Sequence, residues 1–223
     1  MVSIDIQKII IICLFISISS LQAIGQGYVK SKNQSSSKDI FIKNGQRHRR
    51  GIQGVELLGG LTTTNYRNST VDGKRSFGIV GHAGYVRYVK SNFYYKGNFF
   101  YLSDKLNFMT HSSSGVDATA AYTIWRIRNS VFINPMAGVT ASYDLYRSES
   151  TTKESTFKYG GYLGLESEIY LSNHFSIIVD VSRRYVFRPT SASSQYESSQ
   201  VAGWWFVSVG LRYHYYKSYL DCL

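Results

Sequence analysis

The sequence predicts an all-β chain closed as an eight-stranded, antiparallel, up-and-down membrane barrel, and three observations carry that prediction. Apolar and polar residues alternate with a period of two through long stretches, as in residues 160–185, GGYLGLESEIYLSNHFSIIVDVSRRY. Tyr (19), Gly (19) and Phe (12) are abundant while Pro is held to 2, a mix that favours strands over helical bundles. The alternating runs also exceed the five or six residues usual in globular sheets, and they approach or pass the roughly 9–11 that a tilted strand needs to cross a bilayer.

The chain opens with MVSIDIQKIIIICLFISISSLQAIGQG. Lys8, the apolar run Ile9 to Ile18 and the pattern Ala23-x-Gly25 make residues 1–25 an expected secretory signal peptide, cleaved near Gly25. The run is too short for a membrane-spanning helix. Cys13 lies inside it, and Leu14, Phe15, Ile16 and Ile18 continue the run beyond it, which argues against a lipidated cysteine. Cleavage leaves Cys222 without an internal disulfide partner. Residues 26–50 are polar and Ser/Lys-rich and read as a flexible leader, with Arg47-His48-Arg49-Arg50 as a solvated basic arm. The barrel is expected over 51–216, with a short tail at 217–223.

Within the barrel, eight runs have strand character: 52–64, 75–90, 92–106, 114–125, 131–147, 156–171, 174–187 and 202–216. Their connections alternate in kind. Short joints fall at Lys90-Ser91-Asn92, at Arg126 to Asn129 and at Ser172-Asn173, while TNYRNSTVDGK, NFMTHSSS, RSESTTKES and RPTSASSQYESSQ are longer and rich in Ser, Thr and Asn. Short turns on one side and long loops on the other are the wiring of an outer-membrane barrel, with both chain ends in the periplasm.

Sorting each run into faces gives the expected interior. Leu163, Leu165, Ile177, Val179, Val181, Val207, Val209 and Leu211 fall on apolar faces that end in aromatics such as Phe157, Tyr159, Tyr213 and Tyr215. The opposite faces carry charges of both signs in mid-strand: Glu56, Lys96, Glu166, Glu168, Asp180, Arg184 and Arg212. A soluble sandwich has the same period, but terminal aromatics suit membrane-interface girdles, and mixed charges suit a closed lumen in which they neutralise one another and block a pore. Gly138, Gly160, Gly164 and Gly210 on the same face are expected to leave room for Tyr162 and Arg184. Runs 75–90 and 114–125, with Gly81, Ala83, Gly84 and Ala118 to Ala121, leave their faces undecided.

From Arg50 to Tyr216 the layout resembles the TraO family, outer-membrane-type proteins of conjugative-transposon transfer regions. The resemblance is carried by Gly51-Ile52-Gln53-Gly54-Val55-Glu56 with Gly59-Gly60, by Tyr159 to Ser172, and by Val209-Gly210-Leu211-Arg212-Tyr213. It spans about three quarters of the chain; the leader at 27–50 and the tail from Lys217 to Leu223 depart from it. The likeness implies a structural role in conjugative DNA transfer, with other conjugation-apparatus proteins and outer-membrane lipid as partners, and it assigns no catalytic residue.

Other chemistry finds little footing. The chain carries 25 Lys plus Arg against 14 Asp plus Glu, net +11, compatible with nucleic acid, anionic lipid or an acidic partner. Arg47 to Arg50 and Lys74-Arg75 could meet lipopolysaccharide phosphates, and direct DNA contact is not expected. His48, His82, His111, His174 and His214 form no metal-ligand spacing, and no phosphate-cradling loop occurs, so no metal, cofactor or small-molecule substrate is expected. Two rival readings exist. One is a general adhesin or envelope-stability barrel whose loops 65–74 and 188–201 bind ligands. The other is a lipid A deacylase using His111-x-Ser113, a pair expected in an exposed Ser-rich loop with no carboxylate to orient it.

Overall fold

The computed structural model describes residues 42–43, 46–47, 49–67, 75–106, 109–127, 130–148, 153–187 and 200–216, all within one unit, Ile40–Leu223. A small hairpin, β1 (Ile42–Lys43) with β2 (Gln46–Arg47), precedes the main sheet. The eight long strands are β3 (Ile52–Arg67), β4 (Arg75–Lys90), β5 (Phe93–Leu106), β6 (Met109–Tyr122), β8 (Val131–Ser148), β9 (Lys153–Tyr170), β10 (Phe175–Phe187) and β11 (Gln200–Tyr216). The short β7 (Trp125–Ile127) continues the line of β6 along the same edge of β8. The signal peptide, most of the leader, loop tips 68–74 and 188–199, the tail and both cysteines lie outside the described residues.

Each of the eight long strands pairs antiparallel with the next long strand in sequence, β6 with β8 among them, β3 pairs with β11, and no open edge remains among the eight. One ring of paired residues defines the stagger. It leaves β9 at Leu163, passes Arg183, Trp205, Thr63, Phe77, Lys105, Thr110 and Arg147, and returns to β9 at Lys153, ten residues away. Eight strands closed with that stagger form a tilted, narrow barrel whose interior is just wide enough for side chains to fill.

The faces are apolar outward and polar inward, which excludes the sandwich. Leu57 (70%), Ile79 (66%) and Val139 (63%) are exposed, whereas Glu166 and Arg212 are fully buried. A closed barrel with this inversion satisfies its backbone internally and presents aliphatic rows to hydrocarbon. Tyr101, Phe77, Tyr143, Phe157, Tyr159 and Tyr185 ring the loop end of the exterior, and Tyr85, Tyr95, Tyr122 and Tyr213 ring the turn end, as the terminal aromatics predict. The two undecided strands also resolve: Phe77, Ile79 and Tyr85 of β4 and Val116 and Tyr122 of β6 point out, while His82, Tyr88, Asp117 and Thr119 point in.

Two expectations are corrected. The stretch NFMTHSSS is mostly strand, because Met109 to Ser114 pair with Ser148 to Tyr143 of β8 and leave only residues 107–108 between β5 and β6. Its polar character marks a strand that continues beyond the apolar band, where outward polar residues meet water instead of lipid. The glycines also serve a different neighbour. A Cβ on Gly138, Gly160 or Gly210 would overlap backbone carbonyl oxygens of the adjacent strand, and one on Gly164 would press on Ser182 and Met136. These positions accommodate tight coiling of neighbouring strands, not Tyr162 or Arg184. Gly160→Ala is therefore expected to destabilise by about 1–3 kcal/mol. Gly161→Ala, whose Cβ meets nothing within 4 Å, should leave the urea midpoint in detergent unchanged.

Candidate functional site

The lumen is the candidate site, and it holds three layers of charge and aromatic surface. Inward parity places Glu56 on β3, Lys96 on β5, Glu166 and Glu168 on β9, Asp180 on β10 and Arg212 on β11, all buried. Six of the seven charges expected in a lumen network thus converge in one cluster toward the short-turn end. Arg212 is its centre: Nη2 donates to Glu56 Oε2 at 2.5 Å and to Glu166 Oε2 at 2.9 Å, and Nη1 lies 3.1 Å from Glu168 Oε1. Lys96 Nζ reaches Glu166 Oε2 (2.8 Å), Asp180 Oδ2 (3.3 Å) and Glu56 Oε1 (3.4 Å). The four carboxylates outnumber these two cations, and tyrosine hydroxyls share the excess. Tyr88 donates to Glu168 at 2.8 Å, Tyr94 to Glu166 at 2.5 Å and Tyr162 to Asp180 at 3.1 Å.

Arg49 supplies the third cation, and this corrects the expected solvated arm. Gly51, at φ 80°, turns the chain just before β3, a conformation that a glycine adopts without a Cβ penalty, and Arg49 enters the mouth of the barrel fully buried. Its Nη1 lies 2.6 Å from Glu168 Oε2, Nη2 donates to Thr123 Oγ1, and Nε donates to the Ser91 carbonyl at 3.0 Å. Its guanidinium carbon sits 4.2 Å from the Phe132 ring and 4.7 Å from the Tyr88 ring. Desolvation works against the charge, but Tyr88 and the Glu168 carboxylate outweigh it and hold the Arg49 pKa above the ordinary range. The run 47–50 gives no periodic signal for this, because Arg49 precedes the first strand.

The seventh expected charge stands apart. Arg184 pairs with Asp117 of β6: Nε donates to both carboxylate oxygens at 3.2 Å, and Nη2 donates to Oδ2. Phe206, Tyr162 and Phe100 surround its guanidinium at 3.9, 4.6 and 5.1 Å. Asp117 carries no sequence signal because the small residues around it hide the face of its strand. Beyond this pair lies an apolar layer of Val80, Phe100, Leu102, Trp204 and Phe206.

A third group fills the loop end. His111 Nδ1 lies 3.1 Å from Asp104 Oδ1, and its Nε2 lies 3.5 Å from Asp144 Oδ2. Lys158 Nζ lies 2.7 Å from Asp144 Oδ2 and donates to Tyr146 Oη at 2.7 Å, while Thr64 donates to Asp104. The expectation for His111-x-Ser113 is corrected here: both side chains are buried and inward on β6, and His111 has two carboxylate neighbours. With both ring nitrogens directed at carboxylates, His111 is not placed to act as a free base toward Ser113. Among the described residues no His/Cys/Asp/Glu group could hold a metal ion.

Comparison with known proteins finds no matching family model and no matching curated protein. Among solved structures, the chain is similar to Ail, the attachment invasion locus protein of Yersinia pestis, at 16% identity, covering 73% of this chain and 99% of that one with a TM-score of 0.44. It is also similar to Neisserial surface protein A at 12% identity, with 74% and 97% covered and a TM-score of 0.49. The outer membrane protein OprG of Pseudomonas aeruginosa matches at 10% identity, with 76% and 98% covered and a TM-score of 0.43.

Proposed function

We propose that this chain is a structural, non-catalytic outer-membrane barrel that anchors part of a conjugative DNA-transfer apparatus. The single observation that supports a structural role is the filled lumen: three layers of buried ion pairs and aromatic side chains occupy the interior that a channel or active site would need. Export through a cleaved signal peptide and residence in lipid accord with the aliphatic exterior. The conjugation part rests on the TraO likeness. The three stretches that carry that likeness supply Glu56, Glu166, Glu168 and Arg212, which meet in one ion cluster, so the shared residues are ones that build the barrel.

The experiment is a transfer assay on a strain lacking the gene. Transfer frequency should fall by orders of magnitude with growth unchanged, and the full-length chain supplied in trans should restore it. Unchanged transfer would leave the general envelope barrel of adhesin or stability type, whose candidate loop tips lie outside the described residues.

A further inference from the structure

We propose that Arg183, framed by Tyr185 and Trp205, forms a lipid-facing site for a phosphate of an anionic outer-leaflet glycolipid, an inference that rests on the outer-membrane reading. Arg183 lies on β10 between Val181 and Tyr185, on the outward parity of a strand whose Asp180, Ser182 and Arg184 all point inward. Its cross-strand partners are Leu163 and Trp205, so the charge stands among lipid-facing residues. Its position is past the middle of β10 toward the loop end, where the outer leaflet would be.

An arginine on the lipid face of a barrel is unfavourable unless it reaches the interface or finds an anion. Among the described residues no carboxylate stands beside it on the outer face: each one whose side-chain burial is described points into the lumen, none more than 4% exposed. The guanidinium is instead held by rings, its carbon 4.5 Å from the Tyr185 centroid and 5.1 Å from that of Trp205. Stacking fixes the plane and leaves the N–H edge free to donate in a fork, the geometry that matches phosphate oxygens. Space for the ligand lies alongside. Gly161, the cross-strand partner of Tyr185, has open space where a Cβ would stand, leaving bare backbone beside the rings.

The test is native mass spectrometry of the full chain in detergent with bis-phosphorylated lipid A and, separately, its dephosphorylated form. Wild type should favour the phosphorylated lipid by about tenfold, the scale of one charged hydrogen-bonded contact. R183Q should bring the ratio near one, and R87Q, at an exposed arginine toward the opposite end of the exterior, should keep it. Heat-dependent gel migration checks folding. Should R183Q fail to fold, W205L, which removes one ring from the guanidinium, should cut the preference about two- to fivefold. Equal binding of the two lipids by wild type, an undiminished preference in R183Q or W205L, or a preference lost equally in R87Q would overturn the site. Failure of the wild-type chain to enter detergent micelles would instead defeat the membrane-barrel reading itself.

Discussion

Replacing Arg212 with methionine is expected to cost about 3–5 kcal/mol of stability or to prevent assembly of the barrel. Arg212 lies within 3.1 Å of three carboxylates, on Glu56, Glu166 and Glu168. Lys96 still reaches Glu56 and Glu166 in its absence, and Arg49 still reaches Glu168, but four buried carboxylates would then face two cations. Removing one partner of a buried network is far more damaging than replacing the whole by apolar groups, because the remaining charges stay desolvated. Two comparisons sharpen the test. Arg212→Lys keeps the charge but loses the planar fork that serves three oxygens at once, so it should fall between wild type and methionine. Adding Glu166→Gln to Arg212→Met should recover part of the loss, since one uncompensated charge is removed. Urea unfolding in phospholipid vesicles, read by tryptophan fluorescence, measures all four proteins. A methionine variant within about 0.5 kcal/mol of wild type, the range of ordinary surface changes, would show that the cluster does not hold the barrel together.

Asp117→Ala is the second large effect, again about 3–5 kcal/mol, and it comes from a different layer. Arg184 has this one carboxylate against it, and its other neighbours are Ser182 and the rings of Phe206, Tyr162 and Phe100. Truncating the acid strands a guanidinium in an apolar layer with only the Ser182 hydroxyl and π-faces to receive it. The double replacement Asp117→Leu with Arg184→Met should be much closer to wild type, because both charges leave and comparable volume remains. The sign of that comparison is the discriminating result. If the double variant is no more stable than Asp117→Ala alone, the loss belongs to packing and not to a stranded charge. Tyr162 packs on Arg184 and also donates to Asp180 of the Arg212 cluster, so the two sites share a partner, and a double-mutant cycle measures the coupling between them.

How much of this could be read in advance differed from strand to strand. On β9 Glu166 and Glu168, and on β10 Asp180, Ser182 and Arg184, recur at every second position, and the alternation in 160–185 identifies Glu166, Glu168, Asp180 and Arg184 as one face. On β4 and β6 the pattern is blurred by Gly81, Gly84 and Ala118 to Ala121, so His82 and Asp117 gave no signal until their strands were paired. The stretch 107–114 looks like a loop in the sequence for a related reason. Its outward residues Thr110, Ser112 and Ser114 are polar because the strand has left the lipid, and polarity on both faces resembles a loop.

What the sequence determined by itself is the periodicity: strands, long enough to cross a bilayer, each with one face for hydrocarbon and one for charge. That information is local, since a side-chain period of two is a property of consecutive residues. Which charges meet was decided only by the closed structure. A stagger of ten around eight strands brings Arg184 to Asp117 and Lys158 to Asp144, the turn at Gly51 brings Arg49 to Glu168 at the barrel mouth, and register across strands is set by the whole ring rather than by any one segment.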